Sequence, residues 1–242
     1  MVSWFGRSKI RVEIPRLKPR GASSATKVDF AEYTPELLPF LGQAAAMHLE
    51  VAENLARALA AAPSVEVKQQ ISYVAAQVLS TQHKLVAEIR GLHADPDELM
   101  RPFVDALVHY RTLATGTDWR ELLLTCYLSA GMLGDFFEQL ARGIGGDVGN
   151  RVASLLATDA GAEQLRELLQ RSINAEPTLT SVLAMWGRRL VGDTLLVARS
   201  ALADAGSPGS AAHHAAEANI EPVFTELIAA HTRRMDGLGL TA

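Results

Sequence analysis

The chain has 242 residues, of which 48% are hydrophobic, 21% charged and 6% aromatic, and its formal net charge is −4 at pH 7. This length suits one sizeable core and argues against two domains of ordinary size. Ala and Leu dominate, with Gly and Pro between long periodic segments, which favours an all-α fold. The single cysteine, Cys126, lies in an apolar segment and indicates a small core residue rather than a nucleophile.

The N-terminal segment is strongly basic. Residues 1–27 contain seven basic residues against Glu13 alone, a net charge of +6, which leaves −10 for residues 28–242. The basic residues are Arg7, Lys9, Arg11, Arg16, Lys18, Arg20 and Lys27. We predict an extended N-terminal arm, residues 1–33, that either lies on the acidic body of its own chain or contacts an anionic partner such as RNA.

Capping residues indicate where the helices begin. Pro35 after Thr34, Ser64 after Pro63, and the segments Asp95-Pro96-Asp97-Glu98 and Thr117-Asp118 are typical helix starts. In chain order, the predicted helices span about residues 35–61, 65–92, 96–113, 119–142, 148–157, 162–174, 178–205 and 211–235. A hairpin, a long crossover and two further long helices are the order of a ferritin-like four-helix bundle with one crossover.

We therefore predict an all-α chain in three parts. Residues 34–205 form the ferritin-like bundle, and residues 206–242 form a linker and an additional C-terminal helix behind it. The N-terminus has no apolar segment typical of a secretory signal, and no stretch approaches the roughly 20 apolar residues of a membrane span. We expect a cytoplasmic protein with no membrane association.

Helical periodicity, about 100° per residue, places few polar residues on the inward faces. On the first helix, His48 falls within the apolar stripe and Glu50 falls on the opposite face, so we expect His48 to be buried and Glu50 to be exposed. On the second helix we expect His83 to face inward, one turn after Ser80. Asp193 lies at the edge of the apolar stripe of the last bundle helix.

The segment Trp186-Gly187-Arg188-Arg189-Leu190-Val191-Gly192-Asp193 resembles the fourth-helix signature of a family of actinobacterial ferritin-like proteins. That family is grouped with tRNA hydroxylases that act on 2-methylthio-isopentenyladenosine. Shorter matches are Asp95-Pro96 with Met100, Pro102-Phe103, Asp118-Trp119 and Asp135-Phe136. The resemblance covers roughly residues 34–205 and implies a non-haem iron hydroxylase. Its ligands would be a Glu on the first helix, a Glu-x-x-His pair on the second, an acid on the third and a Glu on the fourth.

This chain departs from that ligand pattern. By position, His48 replaces the first-helix Glu, and Ser80 replaces the Glu of the Glu-x-x-His pair that ends at His83. Ala130 replaces the third-helix acid, and Asp193 stands in place of the fourth-helix Glu. Leu196 stands where a second histidine is expected. Two ferrous ions bring four positive charges into a low-dielectric bundle, and one inward carboxylate is too few to neutralise them. We therefore predict a degenerate di-iron site.

A smaller metal site remains an alternative. Two histidines and one carboxylate are the ligand set of a mononuclear non-haem iron site. His48, His83 and Asp193 are the candidate metal ligands if the helices bring them together. Otherwise the two histidines are core residues that form hydrogen bonds inside the bundle.

Three hypotheses for function follow. We favour a ferritin-like scaffold without a cofactor that serves by binding a protein partner, a second copy of the chain or RNA. The alternative is an iron-dependent hydroxylase that acts on modified tRNA or a small molecule through a reduced, mononuclear site. The third is a helical regulator that binds small ligands. It would require a recognition helix near the N-terminus, where this sequence has a basic arm instead.

Overall fold

The computed structural model describes residues 35–157, 161–202 and 211–242. The predicted basic arm, residues 1–33, the cap Thr34 and residues 206–210 of the predicted linker lie outside the described residues. The described ranges contain helices and no β-strand, which confirms the all-α prediction. The α-helices are α1 (Leu37–Ala61), α2 (Val65–Gly91), α3 (Pro96–Ala114), α4 (Trp119–Thr125), α5 (Gly131–Ile144), α6 (Gly146–Leu156), α7 (Ala162–Ala175), α8 (Leu179–Leu202) and α9 (Ala211–Asp236). A π-helical turn, Cys126–Ala130, joins α4 to α5.

Side-chain caps hold the starts of three helices. The Ser64 hydroxyl accepts a backbone N–H at 3.3 Å before α2, and the Asp95 carboxylate accepts one at 2.9 Å before α3. Asp118 and Glu121 form a reciprocal capping box before α4. Short polar side chains at these positions satisfy N–H groups that have no partner within the helix. The predicted starts of α2, α3 and α4 are therefore confirmed.

The central helix of the bundle is α1. It packs against α2, α3 and α4, and every residue from Phe40 to His48 is buried. The chain turns at residues 62–64, so α2 runs back antiparallel along α1. The crossover helix α3 covers another face of α1. An added Cβ at Gly42 would lie 2.5 Å from the carbonyl oxygen of Leu99, so the two helices approach closely there.

The remaining helices complete the bundle. The fourth long helix, α8, packs against α3, α4, the π-turn and α5, while α9 packs against α8 and α5. The shorter helices α6 and α7 lie against α2. The predicted order, a hairpin, a crossover and two further long helices, is the order in the structure.

The π-turn Cys126–Ala130 interrupts the third long helix. A π-turn holds one more residue than an α-turn, so it rotates the following side chains by about 100° relative to an unbroken α-helix. Ser129 is buried with 4% exposure, and Ala130, the position of the expected third-helix acid, is half-buried and lines a cavity beside His48. The burial of Ser129 was not predicted, because helical periodicity assumes one continuous α-helix.

Candidate binding cavity

Hydroxyl groups form the polar contact between the π-turn and α8. Ser129 Oγ and Thr194 Oγ1 lie 2.8 Å apart, and the Thr194 hydroxyl donates to the carbonyl oxygen of Leu190 at 2.8 Å. Because the single Thr194 proton points to Leu190, the Ser129 hydroxyl is the donor to Thr194. Asp193, the predicted ligand, is half-buried beside Thr194, whose exposure is 0%. Among the α8 side chains that the structure describes, the deepest polar group is therefore a hydroxyl rather than a carboxylate.

The predicted exposure of Glu50 is wrong, since this residue is only 3% exposed. Arg111 of α3 donates from Nε to Glu50 Oε2 at 2.9 Å and to Oε1 at 3.1 Å, and its Nη2 also pairs with Oε2. Asn54 donates to Oε1 at 3.2 Å. These hydrogen bonds with Glu50 raise the pKa of Arg111. The prediction failed because α3 covers the face of α1 that periodicity alone assigned to solvent.

The predicted inward position of His83 is also wrong. His83 and Ser80 are exposed, whereas Gln82 is buried. The inward stripe of α2 is formed by Ile71, Val74, Val78, Thr81, Leu85 and Ile89. These residues recur every three or four positions, and His83 lies outside their face.

His48 lies where the sequence placed it, buried with 8% exposure. Its Nδ1 lies 2.8 Å from the carbonyl oxygen of Ala44. A carbonyl can only accept, so Nδ1 carries the proton and Nε2 presents a lone pair. Burial lowers the pKa of His48, and the hydrogen bond with Ala44 opposes this shift. The ring is therefore a neutral hydrogen-bond acceptor.

The iron pair implied by the resemblance does not fit the residues that the structure describes. Among them, no group of three or more His, Cys, Asp or Glu side chains could hold a metal ion. His48 is buried on α1, His83 is exposed on α2 and Asp193 is half-buried on α8. The structure does not bring the three predicted ligands together.

A cavity of about 260 Å³ opens beside His48. It lies between α1, α2, α7 and the π-turn, and α5, the end of α6 and Arg234 of α9 complete its wall. The apolar lining residues are Met47, Val51, Leu55, Val74, Val78, Leu156 and Leu165. Sequence patterning did not predict this cavity, because its wall joins residues from helices that are far apart in the chain.

The ionisable groups that line this cavity beside His48 are either paired or neutral. Asp135 accepts from Arg234 Nη2 at 2.9 Å, and Glu138 accepts from Arg142 Nε at 2.9 Å. Burial raises the pKa of Cys126 to about 12, and the negative charge of Glu50 adds to this shift. Cys126 is thus a buried thiol, as predicted, and the two carboxylates are already bound to guanidinium groups.

The segment that carries the resemblance holds α8 against its neighbours. Trp186 donates from Nε1 to the Thr125 hydroxyl at 3.0 Å. His231 Nε2 lies 2.9 Å from the carbonyl oxygen of Gly187. An added Cβ at Gly187 would lie 2.7 Å from Met235 Cε, so α8 and α9 touch at this glycine. Contacts of α8 with neighbouring helices therefore account for Trp186 and Gly187 in the segment that carries the resemblance.

Comparison with known protein families agrees with this architecture. Residues 31–210, more than half of the chain, match the family described as "Ferritin-like domain, actinomycetes". The chain belongs to this family. The curated proteins compared with the chain gave no significant match. Over the described ranges, none of the helices has both the length and the apolar character needed to cross a membrane.

Proposed function

We propose that this chain is a ferritin-like protein that works by binding, without oxygen activation at a metal pair. The observation that carries the proposal is the pairing of the carboxylates that line the cavity and of Glu50 in the bundle interior. Asp135 is paired with Arg234 and Glu138 with Arg142, and the buried Glu50 is held by Arg111. Each of these carboxylates would have to leave a guanidinium group before it could bind iron.

Charge balance supports the same proposal. Two ferrous ions add four positive charges, and buried charge without compensation is strongly unfavourable. Where the bundle interior would need further carboxylates, the π-turn and α8 present the hydroxyl pair of Ser129 and Thr194. Hydroxyl groups do not neutralise two divalent cations.

The test is the metal content of the full chain purified after growth in iron-rich medium. We expect well below one iron per chain. Two irons per chain with an oxo-bridge absorption band would overturn the proposal. One iron per chain that is lost in His48→Phe and retained in His83→Phe would favour the alternative, an iron-dependent hydroxylase with a reduced site.

The basic arm supports RNA as the partner. Binding of a protein partner or of a second copy of the chain stays a prediction. A cytoplasmic location also stays a prediction. Each Lys or Arg that contacts a phosphate releases condensed counterions. Residues 1–27 contain seven basic residues. The logarithm of the RNA-binding constant can therefore fall against the logarithm of the salt concentration with a slope as steep as about −5 on single-stranded RNA.

Deletion of residues 1–27 should abolish this binding and leave the helical circular dichroism unchanged. The matched control keeps the arm at full length and replaces its seven basic residues by Gln, and it should lose RNA affinity equally. Unchanged affinity in either variant, or no salt-dependent affinity in the full chain, would refute the RNA role.

A further inference from the structure

The cavity beside His48 has the size of a small-molecule site. An apolar protein cavity of about 150 Å³ can hold benzene. At about 260 Å³, this cavity has room for a molecule of roughly two fused rings. Aliphatic side chains and polar atoms share its wall about equally, so a ligand needs an apolar body together with a polar group.

His48 supplies one directed polar group in that wall. Its Nδ1 proton is used by the carbonyl oxygen of Ala44, and Nε2 has no hydrogen-bond partner among the described residues. The side chain is 8% exposed and lines the cavity, so an apolar ligand that displaces water from Nε2 would leave a buried acceptor without a donor, which is unfavourable. A ligand that donates one hydrogen bond would satisfy it.

The part of the wall formed by the π-turn gives a second, independent indication. Such turns within α-helices occur frequently at functional sites. Small residues at and after this turn, Ala130 and Gly134, keep space open in the wall.

Arg234 closes one end of this space. An added Cβ at Gly131 would lie 2.9 Å from Arg234 Cζ, so the guanidinium lies directly over this glycine. The ion pair with Asp135 at 2.9 Å holds the guanidinium in place. Because the charged groups here already have partners, the cavity offers no free charge to an ionic ligand.

We propose that this cavity binds a small, uncharged molecule of about two fused rings, with an O–H or N–H group that donates to Nε2 of His48. This inference rests on the proposed function, because it assigns the cavity to binding rather than to metal chemistry. It adds the chemical class of the ligand and the residue that selects it.

The test compares two probes of nearly equal size on the full chain, 2-naphthol and naphthalene, by calorimetry. We expect 2-naphthol to bind about five- to thirty-fold more tightly, since only it satisfies the His48 acceptor. His48→Phe keeps a ring but no acceptor, so the preference should disappear. His83→Phe, a change at an exposed histidine, should keep it.

Two further variants keep the test decisive. His48→Gln retains an acceptor and should keep part of the preference, even if His48→Phe fails to fold. Ala130→Leu places bulk in the cavity wall and should weaken both probes. Equal affinity of wild type for the two probes, no binding of either, or a preference that survives in folded His48→Phe would each overturn the inference.

Iron measured in the same samples separates the two proposals. Iron-free protein that binds neither probe would overturn the ligand assignment and leave the binding role standing. A di-iron protein that prefers 2-naphthol through His48 would overturn the binding-only role and leave the ligand assignment standing.

Discussion

Replacing Arg111 by Met should strongly destabilise the bundle. The substitution removes the guanidinium that donates to Glu50 at 2.9 and 3.1 Å and leaves a carboxylate that is only 3% exposed. Met retains most of the length of the side chain, so the change is mainly the loss of charge and hydrogen bonds. Asn54 still donates to Glu50 at 3.2 Å, which satisfies only one lone pair.

The expected decrease in the free energy of unfolding follows from the burial of Glu50 and Arg111. Removing one partner of a buried ion pair typically costs about 3–5 kcal/mol. The Arg111 side chain is 30% exposed, and water there reduces the loss. We expect a decrease in the free energy of unfolding of about 3 kcal/mol, at the lower end of that range. In a chain of this size this lowers Tm by about 6–12 °C.

Urea unfolding followed by circular dichroism measures this decrease. Arg142→Met is the matched control, because Arg142 forms an i,i+4 pair with Glu138 and is 64% exposed. Such exposed pairs contribute about 0.5 kcal/mol or less. The double variant of Arg111→Met with Glu50→Gln should regain most of the stability, since it leaves no unpaired charge. If Arg111→Met costs no more than Arg142→Met, the buried position of Glu50 is refuted.

Two other predictions concern helix packing and pH. Gly42→Ala should destabilise the chain by about 1–3 kcal/mol in urea unfolding, because the added Cβ meets the backbone of Leu99. Gly192→Ala on α8 is the control, since the space around Gly192 is open. It should be neutral or stabilising by up to about 1 kcal/mol. Equal effects of the two changes would contradict the close contact of α1 and α3. The free energy of unfolding should also fall as the pH drops below about 6.5, because burial lowers the pKa of His48 and the unfolded chain then binds more protons than the folded chain. His48→Phe should flatten this slope and His83→Phe should not; an unchanged slope in His48→Phe would argue against a buried, neutral imidazole.

Much of the fold could be predicted from local sequence. The starts of α2, α3 and α4 depend on Ser64, Asp95 and Asp118, whose side chains bind N–H groups two or three residues away. Interactions over so short a distance are present in the sequence itself. The order of long and short helices then leads to the bundle, because short connections make neighbouring helices antiparallel.

The candidate site depended on contacts that the sequence does not contain. Glu50 is buried because Arg111, 61 positions later, lies over it on α3. The sequence did contain one indication that α1 is covered on all sides. It has no charged residue from Leu37 to Met47, and a helix that is apolar on all faces is buried on all sides.

In the second and third long helices too, some features could be predicted from local sequence and others depended on tertiary contacts. Periodicity indicates how side chains are spaced around a helix, so the buried position of His48 could be predicted. It does not tell which neighbour covers each face, and it assumes a regular α-helix throughout. The side of α2 on which His83 lies, and the burial of Ser129 beside Thr194, depend on the packing of other helices and on a π-turn. The sequence by itself therefore determined the helices and their ends, because capping acts within a few residues. Only the tertiary structure decided which polar groups meet in the interior, because burial depends on the elements that pack from elsewhere in the chain.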